Sequence, residues 1–165
     1  MSAWNERAFE ERALLVPSFS SVLIWYAAVG HQTEAESGLP FDASFLVLPI
    51  VLHRETRELL PKTVATSLAV WLDEHPLVRA RIADRAQVIV PFTKEAIVFG
   101  GIHGLIRVTG HEVVANPDWK RQVAAGLKNT SDEVKACAKR AEFVGRWFAK
   151  TGSCRTVMAL LGVRP

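Results

Sequence analysis

The side chains of this 165-residue chain that are best suited to chemistry are cations, and they cluster late. Lys135, Lys139, Arg146 and Lys150 recur at helical spacing and fall within about 60° of one another on a helix. Phe143 and Trp147 lie four residues apart on the flank of that stripe. Cations beside aromatic area suit docking onto an acidic surface, either a protein or a nucleic-acid backbone. The opposite reading is that the last helix folds back and covers the aromatic pair. Arg54 and Arg57 form a second pair, three residues apart, just after a long apolar run. They either meet a partner or pair locally, Arg54 with Glu58 at i+4.

Other reactive residue types lack the company that chemistry needs. The histidines at 31, 53, 75, 103 and 111 form no HxxxH or HExxH pair, so the local spacing of a metal site is missing. His53 and His103 sit beside apolar runs and read as satisfied, partly buried groups. Cys137 and Cys154 belong to no Cys-x-x-Cys pattern, and two free thiols fit a reducing compartment. No GxSxG or other nucleophile signature is present. Gly100, Gly101 and Gly104 surround Ile102 and His103, but no P-loop lysine follows. The expectation is a protein without catalytic activity, cofactor or metal.

These groups must be carried by helices. Pro17 and Ser18 open one in which Phe19, Val22, Leu23 and Tyr26 share a face, and Gly30 is expected to end it. Residues 31–40 read as a loop. Asp42 precedes an apolar run containing Pro49, read as an interrupted helix with a buried strand as the alternative. Pro61 is expected to start a helix that Pro76 stops. A short helix follows, and Pro91 opens another that ends at the glycines. GLIRV and EVVA are β-like runs, and Gly110-His111 between them makes a tight hairpin flanked by Thr109 and Glu112. Thr130 and Glu133 have capping-box spacing ahead of a helix from Ser131 to about Lys150. Its core face holds Val134, Cys137, Ala138, Ala141, Val144 and Phe148. Gly152 ends it, and Ser153 caps a last helix that stops at Gly162. An N-terminal helix over residues 5–14 completes the pattern.

The expected fold is therefore mainly α (α+β). It has a winged-helix-like core, one two-stranded β-hairpin and a long C-terminal helix. Within a single domain, residues 1–37 form N-terminal helices, 38–116 the core and 117–165 the C-terminal helices. A DNA-reading helix should present Arg, Lys, Asn or Gln to base edges. The helix before the hairpin offers only Lys94, beside Glu95, with His103 at its end. That is poor equipment for base readout.

Length and composition agree with a self-sufficient core. The hydrophobic fraction is 49% and the charged fraction 22%, ordinary for a globular chain. Net charge is +3, but residues 1–115 carry ten Lys/Arg against thirteen Asp/Glu, and residues 116–165 carry ten against four. The basic end either meets an acidic partner or is a solvated helix face. The N-terminus, MSAWNERAFEER, is charged from the start, unlike a signal peptide. The longest apolar run falls far short of the ~20 residues that span a bilayer. The cytoplasm, with no membrane contact, is the expected location.

Several stretches together resemble a known family. They are LVPSFSSVLIW at 15–25, GLPFDASFLVLPIVLHRETRELLP at 38–61, Thr93-Lys-Glu-Ala-Ile97 with Phe99-Gly100 and Gly104-Leu-Ile, and LLGVRP at 160–165. They resemble the middle component of bacterial three-component ABC systems, relatives of Lamassu-type anti-phage defence. One departure is Val16-Pro17-Ser18-Phe19, where the family has Asn-Pro-Ala-Phe, so no role for an Asn carries over. The resemblance implies a non-catalytic adaptor that binds an SMC-like ABC ATPase and couples it to an effector, with a hetero-oligomer and at most weak or indirect DNA contact. A stand-alone winged-helix nucleic-acid-binding regulator is the competing expectation.

Overall fold

The computed structural model describes residues 16–164, so the helix expected over 5–14 lies outside the described residues. In chain order the elements are α1 (Pro17–Ala35), β1 (Leu39–Pro40), α2 (Phe41–Val51), α3 (Arg54–Leu59), α4 (Leu68–Glu74) and α5 (Pro76–Ile102). There follow β2 (Ile106–Thr109), β3 (Glu112–Ala115), a 3-10 turn (Pro117–Trp119), α6 (Lys120–Lys128), α7 (Asp132–Thr151) and α8 (Cys154–Leu161).

α1 and α2 form the centre. Both are apolar nearly all round, and such helices need neighbours on every side. Leu23, Ile24, Ala27 and Ala28 of α1 and Leu46, Val47, Leu48 and Ile50 of α2 are sealed from solvent. α1 packs chiefly on α7 and α5, and α2 packs chiefly on α5. The strand alternative for the Pro49 run is excluded.

Several boundaries differ from the sequence expectation, each for a physical reason. α1 does not stop at Gly30 but runs on to Ala35, where Glu36 turns left-handed at φ 54°. Gly30 instead lies where α7 passes so close that a Cβ would strike the Glu142 carbonyl. Residues 61–67 are not helical, and α4 begins only after Ser67. Pro76 starts a single long helix, with Pro91 inside it rather than at a new start. A proline inside a helix leaves the carbonyl four residues earlier without its bond. Pro91 and Gln87 both face solvent, where water can hydrate that carbonyl. α6 has no counterpart in the sequence reading.

The hairpin is as expected. β2 and β3 pair antiparallel with Thr109 opposite Glu112, and in the two-residue turn Gly110 takes φ 61° while His111 does not take positive φ, the pattern of a type II′ turn with glycine first. The sheet has a third strand, in the order β1-β3-β2, with Leu39 opposite Val113. At the other end, Ser131 rather than Thr130 caps α7 by accepting from the Val134 N–H, and Ser153 caps α8 in the same way.

Candidate partner-binding surface

α7 carries six of the candidate residues, and the structure divides them. Trp147 is 1% exposed and Phe143 9% exposed. Residues 60–71 lie over them, and α8 contacts both α7 and the helix that carries Trp71. Trp147 Nε1 donates to the Thr66 carbonyl at 2.6 Å, and its ring meets Trp71 edge-on at 5.4 Å. Arg140 lies 5.1 Å from the Phe143 ring centre and donates to the Leu60 and Pro61 carbonyls at 3.2 and 3.1 Å. The expectation that Phe143 and Trp147 offer accessible anchor area is therefore corrected, because both are core. α7 is covered on two sides, by α1 and by the 60–71 segment. A helical wheel sees only one buried face.

The basic stripe is also split. Arg146 Nε and Nη2 reach Glu34 Oε1 at 2.8 and 2.7 Å, and Lys150 Nζ reaches Glu34 Oε2 at 3.3 Å. Glu34 comes from the last turn of α1. Hydrogen bonds from Arg146 first, then Lys150, hold its carboxyl below the usual range. Arg146 and Lys150 therefore tie α7 to α1. Lys135 and Lys139 remain exposed, without an ion pair among the described residues.

Arg54 and Arg57 part company too. Arg54 is exposed and binds Glu58 at 2.8 Å, the local pairing weighed above. Arg57 is 3% exposed and is corrected to a structural role. It donates to the Val51 carbonyl at 2.7 Å and to Cys137 Sγ at 3.3 Å, and it pairs with Glu133 of α7. Arg85 acts beside it, donating to the Pro49 carbonyl at 3.0 Å and to Thr56 Oγ1 at 2.9 Å. The last carbonyls of a helix lack intrahelical partners and carry the negative end of the dipole. Two guanidinium groups thus cap the C-terminus of α2. The LVLPIVLHRETRELLP block supplies the capped carbonyls and Arg57, while Arg85 comes from α5, and His53 accepts from the Thr56 N–H to start α3. Burial and the nearby Arg85 push the His53 pKa down, which favours the neutral acceptor form.

The remaining reactive groups have structural surroundings. Burial raises the Cys137 and Cys154 thiols, which keeps them protonated and poor nucleophiles. His103 is exposed rather than partly buried, and it stacks on Phe99 at 4.0 Å. Among the described residues no group of three or more His, Cys, Asp or Glu is placed to hold a metal ion. No described helix is long and apolar enough to cross a membrane.

The sequence matches the family model of the ABC-three component (ABC-3C) system Middle Component 3 over residues 4–165. The chain belongs to this family. No curated protein and no solved structure shows significant similarity to it.

Membership places this Middle Component 3 chain in a multi-component system and so implies partner proteins. One surface feature was missed in the sequence. Leu77, Val88, Val98 and Ile102 are exposed on α5 and fall within about 80° of one another around the helix. Splitting α5 at Pro91 concealed the alignment.

Proposed function

We propose that this Middle Component 3 chain is a non-catalytic adaptor that binds an SMC-like ABC ATPase and couples it to an effector in an anti-phage defence complex. The observation that carries the reading is the family match, which runs through residues 4–165 and names a component of a multi-protein ABC system. The burial of Cys137, the half-burial of Cys154 and the structural employment of Arg57, Arg140, Arg146 and Trp147 support it. The groups with most chemical potential are spent on holding the fold together.

The cations left for a partner on α7 are Lys135 and Lys139. Reversing both to Glu should weaken association with the ATPase while leaving the fold intact, since both side chains point to solvent. The test is co-purification of the tagged chain with the ATPase, together with titration of DNA by the isolated chain. Two phosphate contacts give a log–log salt slope of only about −2 on B-DNA. Tight DNA binding with a much steeper slope and no ATPase association would favour the stand-alone regulator instead.

A further inference from the structure

Phe41 and Phe45 stand four residues apart at the start of α2, so both rings leave the helix on one side. They meet edge-on at 5.4 Å. α2, α5 and α8 pack on one another, and beside the two rings they leave a cleft of about 290 Å³. Leu46 and Met158, both buried, lie at its floor, while Phe41, Phe45, Val90 and Val163 form walls that stay half-buried. Apolar walls left partly in water around a buried floor are the setting in which a partner's side chain gains most from desolvation. Val98 is exposed and lies one helical turn beyond Lys94 on α5, so it continues the apolar ground outside the mouth.

The charged residues of the cleft select the occupant. They are Asp42, Lys94 and Arg164, all exposed, and none forms an ion pair among the described residues. Asp42 is already complemented, because it stands in the first turn of α2, where the helix N–H groups and dipole favour a carboxylate. Lys94 lies inside α5, away from both helix ends. Arg164 lies past the end of α8, whose Met158 and Ala159 carbonyls are met by the Val163 and Gly162 N–H groups. Both cations are therefore uncommitted beside an apolar cleft. Two copies meeting cleft to cleft would oppose these like charges, which is unfavourable. An apolar side chain flanked by Asp or Glu fits both features.

We propose that the cleft between α2, α5 and α8 receives an apolar side chain of a partner protein, flanked by carboxylates that pair with Lys94 and Arg164. The buried anchor supplies the affinity, and the two cations supply selectivity and speed of encounter. The inference rests on the adaptor reading and names where one partner attaches.

Gln87 lines the cleft and is exposed, so it can be changed without disturbing the core. Gln87→p-benzoylphenylalanine, irradiated in the complex assembled from the purified components of the system, should cross-link to a partner peptide. In that peptide an apolar residue should have Asp or Glu within a few positions. Gln87→Trp should fill the cleft from its mouth and weaken assembly about tenfold or more. Lys94→Glu combined with Arg164→Glu should weaken it by a similar factor, and added salt should no longer reduce the binding that remains. The unfolding midpoints of both variants should match that of the parent. A cross-link to a second copy, to this chain itself or to a partner peptide without acidic residues overturns the inference alone. So does assembly at parental affinity by either variant. Absence of any complex with the parent chain overturns the adaptor reading and this inference with it.

Discussion

Gly145 of α7 lies directly on the backbone of Ala27 in α1, so close that a Cβ there would overlap the Ala27 carbonyl. Gly30, on α1, makes the reciprocal approach to the Glu142 carbonyl. The two glycines let the helices touch main chain to main chain. That crossing brings Glu34 within reach of Arg146 and Lys150.

Gly145→Ala should therefore destabilise the chain by about 3 kcal/mol or more, because rigid backbone cannot yield to the added methyl. Gly126→Ala in α6 is the control: nothing lies within 4 Å of its Cβ position. It should stabilise by up to about 1 kcal/mol through helix propensity. Denaturant unfolding of the two variants checks the contrast. A Gly145→Ala protein as stable as the parent would contradict the close crossing.

Removing Arg57 strands the Val51 carbonyl and leaves Glu133 without its partner. Arg57→Met should cost about 3 kcal/mol, and Arg57→Lys should recover little, since a point charge cannot serve two directions at once. Trp147→Ala should cost about 3–5 kcal/mol as a core truncation. Thermal melts of all three provide the measurement. Loss of partner binding by a well-folded Trp147→Ala protein would instead return that residue to the surface role.

Glu34 gives a pH dependence with a definite sign. Its carboxyl titrates lower in the folded chain than in the unfolded one, so its contribution is fully present above the unfolded carboxylate range. That contribution is lost as pH falls through the lower, folded value. The stability gap between the parent and Glu34→Gln should be widest near neutrality and should close on acidification below about pH 4. A gap that widens on acidification would contradict the Arg146–Glu34–Lys150 tie.

Thr93 is sealed in the core, and its hydroxyl has no hydrogen-bond partner among the described residues. Thr93→Val keeps the shape and removes the unpaired group, so it should be neutral or stabilising by up to about 1 kcal/mol. A loss above about 1 kcal/mol would show that the hydroxyl is bonded.

Local signals were legible wherever one residue type has one meaning. The Gly110-His111 turn set the hairpin and its register, and Ser153 and Gly162 bounded α8. Signals with two meanings misled. Gly30 has the same identity whether it ends a helix or admits a neighbour, and only α7, more than a hundred residues away, decides. Helical spacing put Lys135, Lys139, Arg146 and Lys150 on one face but carried no sign of Glu34. It put Phe143 and Trp147 off the core stripe because it does not show the 60–71 segment that covers them. Glu133 fitted a capping box, but with Ser131 as the cap it faces Arg57 instead. The third strand, two residues long, is below any sequence period.

The claim that this chain joins an ATPase to an effector is tested most directly by omission. The three components of the system are co-expressed with and without this chain, and the mass of the assembled species is measured after purification through the ATPase. The adaptor account predicts one complex holding all three proteins, and separate ATPase and effector when the chain is left out. Equal association of ATPase and effector in its absence, or a complex that excludes it, would contradict the account.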